Sequence, residues 1–328
     1  MVMSLRPAAS LAALVWLDAM TLVPLFTVAV LLGIGRAFAG PALSAIAPNI
    51  VPPAVLPRAI AMSSIAWQSA SVIGPAAGGL IYAAHPASVY VFAAALLAIS
   101  AFTLSRVRPV LPPPAEVRRH PLREMVDGLQ FVWVERFLLG TITLDLFAVL
   151  LAGATAMFPV FARDILHAGP EGAGLMRAAV AFGSVGVAVG LAIRPIERDV
   201  GVKMLWAVAV FGAGTVAFGL STSLILSLAL LVLMGAADMF SVFVRGTLIQ
   251  LNTPDHMRGR VSAASGLAIS ASNELGEMRA GAMAAALGPI SAVVVGGAAA
   301  VGVTALWAWI FPELRRAKTF EPQFKQTN

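Results

Sequence analysis

Residues 203–250, KMLWAVAVFGAGTVAFGLSTSLILSLALLVLMGAADMFSVFVRGTLIQ, decide what kind of molecule this is. Two apolar runs, at 203–221 and 223–250, meet at a Ser-Thr-Ser turn, and no charged residue occurs between Met204 and Ala237. Each run is close to or beyond the ~20 residues with which a helix crosses the hydrocarbon core. A transmembrane barrel is excluded, because its strands alternate apolar and polar residues, whereas these runs are continuous in Ala, Val, Leu and Gly.

The same texture extends outward over the 328 residues, which are 59% hydrophobic and 12% charged with a mean hydropathy of +0.89. Soluble domains carry about 25% charge. Apolar runs bounded by charge, Pro and Gly place helices near 4–18, 22–48, 59–83, 88–105, 136–162, 172–194, 203–221, 223–250, 261–287 and 289–311. The fold class is therefore an all-α polytopic membrane protein with ten visible transmembrane helices. The chain has no cysteine, and its four histidines, His85, His120, His167 and His256, fall in expected loops. Disulfides, thiolate metal sites and Cys or His catalysis are disfavoured, so neither an enzyme, a metal nor a cofactor is expected.

The net charge of +6 does not point to nucleic acid, because the basic residues trace a topology. Seventeen of the 22 Lys and Arg fall in connections on one side, from Arg6 to Lys325; Arg163 alone falls on the other; Arg36, Arg177, Arg245 and Arg279 lie within helices. The positive-inside rule makes the rich side cytoplasmic, with both termini there. Contact with membrane lipids follows, and the expected location is the plasma (bacterial inner) membrane. The long connection RVRPVLPPPAEVRRHPLREMVDG, 106–128, leads into a basic amphipathic segment, Pro121 to Trp133, expected to lie along the interface with its Arg side to headgroups and its Leu, Met, Phe and Trp side to lipid.

Shifted by 202 residues, the chain aligns with itself: Gly33 falls on Gly235, Phe38 on Phe240, Pro52 on Pro254, Arg58 on Arg260, Gly74 on Gly276 and Gly79 on Gly281. Two halves repeating in the same order across a long linker is an architecture of secondary transporters. The organisation is a four-helix N-terminal bundle at 1–105, a linker with its amphipathic segment at 106–135, a six-helix bundle at 136–311 and a tail at 312–328. Four helices against six imply a twelve-helix ancestor and an N-terminally shortened chain.

Particular stretches resemble a known family. GRAFAGPALSAIAPNIVP at 35–52 and SVIGPAAGGLIY at 71–82 resemble the fourth and fifth helices of major facilitator superfamily exporters. LDLFAVLLAGATAMFPVFARDIL at 144–166 and TPDHMRGRVSAASGLAISASNELGE at 253–277 are similar to the branch of enterobactin-type exporters and transmembrane secretion effectors. The resemblance implies a twelve-helix fold, alternating access, outward transport and proton coupling. It also implies a proton-transfer role for Arg36 and an antiporter-type motif at Gly74, Pro75, Gly78 and Gly79. The superfamily's Gly-Asp-Arg loop after its second helix has no counterpart ahead of the helix at 4–18; in the second half Arg194, Arg198 and Asp199 stand in its place.

A charge in the hydrocarbon core costs about 2.5–3.5 kcal/mol on insertion scales, so each needs a partner or a wet cavity. Asp145 is expected as a proton acceptor or ligand for cationic substrate, or else as an interfacial residue. Glu274 and Glu277, three apart, share a helix face with Asn273 beside them; neighbouring carboxylates can take up and release a proton, as a coupling site requires. Alternatively they pair with Arg279 or Arg245. Asp238 and Arg245, two turns apart, are expected to serve structural charge pairing, and Arg258, Gly259 and Arg260 to form a cytoplasmic loop.

The expected function is secondary active export of amphipathic small molecules, siderophore-like or drug-like, coupled to protons. The alternative is a non-transporting shortened remnant, or a part that assembles with another chain to complete its cavity. The oligomeric state stays open.

Overall fold

The computed structural model describes residues 21–33, 85–106, 121–194, 196, 198–254 and 257–320, with short pieces within 10–16 and 70–82. The chain forms two compact units, Met1–Val117 and Arg118–Asn328. In the first lie α1, Leu22–Gly33, and α2, Pro86–Ser105. Proline in the first turn of α2 removes an N–H that would have no intrahelical partner there. The rest of the expected helices at 4–18, 22–48 and 59–83, and hence the first copy of the 202-residue repeat, lies largely outside the described residues.

The second unit contains α3 (Pro121–Val134), α4 (Arg136–Ala152), α5 (Gly169–Ile193), α6 (Val200–Leu220), α7 (Leu224–Leu251), α8 (Arg258–Leu287), α9 (Pro289–Ile310) and the short α10 (Pro312–Arg316). Six helices among the described residues are long and apolar enough to cross a membrane: α2, the segment Arg136–Ile165, α5, α6, α7 and α9. They coincide with the expected spans at 88–105, 136–162, 172–194, 203–221, 223–250 and 289–311. The expected span at 261–287 is present as the 30-residue α8, which is too polar to count among the six.

The span beginning at Arg136 is interrupted. After Ala152 the helix stops at Gly153, then resumes through a 3-10 turn (Thr155–Met157), one α turn with Pro159 and a π turn (Phe161–Ile165). Proline can neither donate its N–H nor sit comfortably inside a regular helix, which favours irregular winding here.

Packing runs α5 on α7, α7 on α6, α6 on α9, and α9 on α4, with α8 against α4, α9 and α3. Hydrocarbon tails are as apolar as leucine, so close backbone approach has to supply much of the attraction. Gly235 of α7 and Gly183 of α5 show it: a Cβ on Gly235 would stand 2.7 Å from the Val180 carbonyl carbon, and one on Gly183 2.8 Å from that of Val232. At one end of the unit, Phe137, Leu144, Met204, Val244, Leu248 and Leu314 form a core; at the other, Phe158 and Phe161 flank Phe218, whose ring stacks on Phe161 at 4.8 Å.

Basic residues collect beside the first core. Arg136 donates to the Ile310 carbonyl at 2.9 Å and pairs with Glu313 at 3.4 Å, while the Gly201 N–H donates to Ala317. The beginnings of α4 and α6 and the end of α9 thus share one face.

The amphipathic segment does more than lie on a surface. As α3 it packs on α8 and α4, burying Gly128 and Val132, within the second compact unit. Trp133 keeps the expected exposure, at 76%.

Candidate functional site: the polar stripe of α8 and the charges of α4 and α7

At 1.5 Å per residue, α8 is about 45 Å long, well beyond a ~30 Å hydrocarbon core. Its exposed positions include Ser262, Gly266, Ser270, Asn273, Glu274 and Glu277. Spacings of three and four put them on one continuous stripe. The opposite side, with Val261, Ala264, Ser272, Gly276 and Ala280, is buried. Glu274 lies about 24 Å along the axis from Arg258, near the middle of α8. Asn273 donates to the Ile269 carbonyl at 2.9 Å. Neither glutamate forms an ion pair among the described residues, so the expected alternatives of Arg279 or Arg245 as partners are not the ones adopted. Carboxylates at this depth need water, a ligand or a polar surface opposite them.

Asp145 and Arg245 are brought together. The two side chains, 10% and 5% exposed, form an ion pair joining α4 to α7. Arg245 therefore pairs across helices with Asp145 and not along its own helix with Asp238. The geometry explains the choice: Asp238 is two turns away on α7, whereas α4 carries Asp145 into direct contact. Asp238 has no ion-pair partner among the described residues. Thr141, one turn before Asp145, is buried and donates to the Phe137 carbonyl at 2.7 Å.

Arg279 has a role that hydropathy and spacing did not disclose. Its Nε donates to the Leu150 carbonyl at 2.9 Å, its Nη2 donates to the Leu151 carbonyl, and its Nη1 lies 2.8 Å from the Met283 sulfur. Those carbonyls are at the last turn of α4, where the interruption leaves acceptors without intrahelical donors. The guanidinium supplies the donors and sets positive charge at the negative end of the helix dipole. Gly296 of α9 clears the space: a Cβ there would stand 3.0 Å from Arg279 Nη2.

The other expected positions are less constrained. Arg36 and Pro75 lie outside the described residues. Among the described residues, a Cβ on Gly74 would meet nothing within 4 Å, and one on Gly78 only a Val89 methyl at 3.9 Å. Gly79 is helical and partly buried. Arg258, Gly259 and Arg260, expected as a loop, instead form the first turn of α8, where Arg260 pairs with Asp127 of α3 at 3.3 Å. Arg177, one face of α5, is exposed. No cluster of His, Cys, Asp and Glu suited to a metal is found among the described residues.

The chain is 27% identical over 286 residues to the enterobactin exporter EntS of Escherichia coli O1:K1, covering 86% of this chain and 68% of that one. It is 26% identical over 284 residues to the EntS of Shigella boydii serotype 18, with 86% and 68% covered. To that of Citrobacter koseri it is 27% identical over 285 residues, with 86% and 67% covered. The Major Facilitator Superfamily profile matches residues 2–277. With six helices among the described residues long and apolar enough to cross a membrane, and with this match, the chain belongs to the Major Facilitator Superfamily of membrane transporters.

Proposed function

We propose that the chain is a secondary active exporter of amphipathic small molecules that works by alternating access and takes up protons in exchange for substrate. The observation that carries this reading is the stripe of α8, where Glu274 and Glu277 sit exposed near the middle of a helix that is not among the six apolar enough to cross a membrane. Such a face suits a water-filled pathway. A carboxylate there can hold a proton in one state and release it in another, while Asn273 and the serines offer hydrogen bonds to cargo.

The Asp145–Arg245 pair links α4 and α7. Protonating Asp145 would weaken that link, which gives α4 and α7 a means of responding to the proton. Arg36 and the Gly74-Pro75-Gly78-Gly79 motif take the roles that family resemblance implies, and Arg258, Gly259 and Arg260 stand at the cytoplasmic end of α8. The membrane is a bacterial inner membrane with the Arg-rich face, and both termini, in the cytoplasm. The cargo is siderophore-like or drug-like, and the names of the relatives favour the former.

Inverted membrane vesicles with an imposed inward-acid gradient test this, using enterobactin and ethidium as probes. The expected result is gradient-dependent accumulation of at least one, abolished by Glu274→Gln with normal elution from size-exclusion chromatography. Accumulation of neither probe, or undiminished uptake by the variant, contradicts the proposal.

A further inference from the structure

The helix α3 presents two apolar faces, only one of which the protein uses. The used face carries Gly128 and Val132, buried, with Phe131 packed against the first core. Gly128 rests on backbone: a Cβ there would stand 2.7 Å from the Arg260 carbonyl carbon, and Asp127 pairs with Arg260 at 3.3 Å. The unused face is a stripe at i, i+3 and i+7: Val126, Leu129 and Trp133, exposed by 46%, 42% and 76%. Gln130, also exposed, stands at i+4 from Val126 on the same face, where its amide is the one polar group of the stripe.

What covers the stripe follows from its surroundings. Glu135 alone separates α3 from α4, the next span, so the stripe adjoins the surface where that span meets headgroups. A Trp at that level is the side chain membranes favour at their interface. The segment 106–128 contains five arginines, Arg106, Arg108, Arg118, Arg119 and Arg123, against Glu116, Glu124 and Asp127, the last already held by Arg260. Each basic residue near an anionic surface adds about 1 kcal/mol of attraction. Apolar stripe and basic flank together match a headgroup layer containing anionic lipid.

We propose that α3 binds the anionic headgroups of the adjoining leaflet and passes that contact, through Asp127 and Gly128, to the first turn of α8. The Gly128 contact bars α8 from moving toward α3 at Arg260, and the Asp127–Arg260 pair resists their separation, so a shift of one helix is passed to the other. Lipid composition at the surface therefore biases the position of the helix whose far turns carry Glu274 and Glu277.

The chain has no cysteine, so single-cysteine spin labels can be placed directly. Full-length protein carrying Val126→Cys, Leu129→Cys or, as an exposed reference in the tail, Lys318→Cys is reconstituted in phosphatidylcholine vesicles with and without phosphatidylglycerol. Accessibility to oxygen and to a water-soluble nickel chelate is then measured. Labels at 126 and 129 should be several-fold less accessible to nickel than the label at 318. Phosphatidylglycerol should deepen the contrast, and Arg118→Gln, Arg119→Gln and Arg123→Gln together should remove that increment. Equal nickel access at all three sites overturns the lipid contact, and so does spin–spin broadening that grows with protein density, which would identify a second copy on the stripe. An unchanged contrast on adding phosphatidylglycerol overturns the anionic preference. For transmission, a label at Ser262→Cys in α8 should lose mobility when phosphatidylglycerol is added, and Asp127→Ala should weaken that response while immersion at 126 persists. A label at 262 that ignores lipid, or a response untouched by Asp127→Ala, overturns the coupling.

Discussion

Removing one member of the Asp145–Arg245 pair should cost far more than removing both. The two side chains are 10% and 5% exposed and sit among Leu144, Ala148, Val244 and Leu248 of one apolar core. Arg245→Met leaves a carboxylate without its cation, and Asp145→Asn leaves a guanidinium without its anion. A buried pair broken in this way loses about 3–5 kcal/mol, whereas replacing both charges is often close to neutral. For a domain of 150–250 residues, each kcal/mol moves the melting temperature by about 2–4 °C. Either single variant should therefore melt roughly 10 °C lower, and the D145N/R245M double variant should recover most of that loss. The assay is heating in detergent followed by size-exclusion chromatography, run as a double-mutant cycle. A coupling energy of at least about 2 kcal/mol is expected from groups in direct contact. Single variants that melt with the parent, or losses that add in the double variant, would refute the claim that these charges hold α4 to α7.

Two further outcomes follow from the packing. Arg279→Met should strand the Leu150 and Leu151 carbonyls and lower detergent stability by about 1–3 kcal/mol for each acceptor left without a donor; Arg279→Lys should lose less, and a Met variant as stable as the parent removes the helix-end role. Gly235→Ala should cost about 1–3 kcal/mol by forcing α7 off the Val180 backbone, whereas Gly186→Ala, with nothing within 4 Å of its Cβ, should be neutral or slightly stabilising; equal melting of the two variants contradicts the close approach of α5 and α7.

Hydropathy carries the spans because each is a long apolar run ended by charge, Pro or Gly, and that is a local property. The polarity of α8 is local too: the spacing of Asn273, Glu274 and Glu277 is enough to put them on one face. Which charges meet is a different kind of information. Arg245 finds Asp145 a hundred positions earlier, and only the packing of α4 on α7 creates that contact. Asp238, closer in sequence and on the same helix, is the partner that spacing suggests and that geometry passes over. The interruption at Gly153 is hidden because the residues on both sides are equally apolar. With the break unseen, the carbonyls that occupy Arg279 are unseen as well. The packing of α3 escapes for a related reason: amphipathicity identifies an apolar face but does not say whether protein or lipid receives it.

The polarity of α8 also bears on how this protein is made. Glu274, Glu277 and Arg279 lie within six residues of one another. At about 2.5–3.5 kcal/mol each, they would hold back a helix that left the translocation channel alone. The next helix resolves the difficulty: α9 is strongly apolar, and only Gly288 separates it from α8, at φ +84°, a conformation open to glycine and little else. So short a turn makes the two helices a hairpin whose second arm can carry the first into the bilayer. Biogenesis of the second unit is thereby tied to its last helices, and a ribosome stalled before α9 would leave α8 outside the membrane.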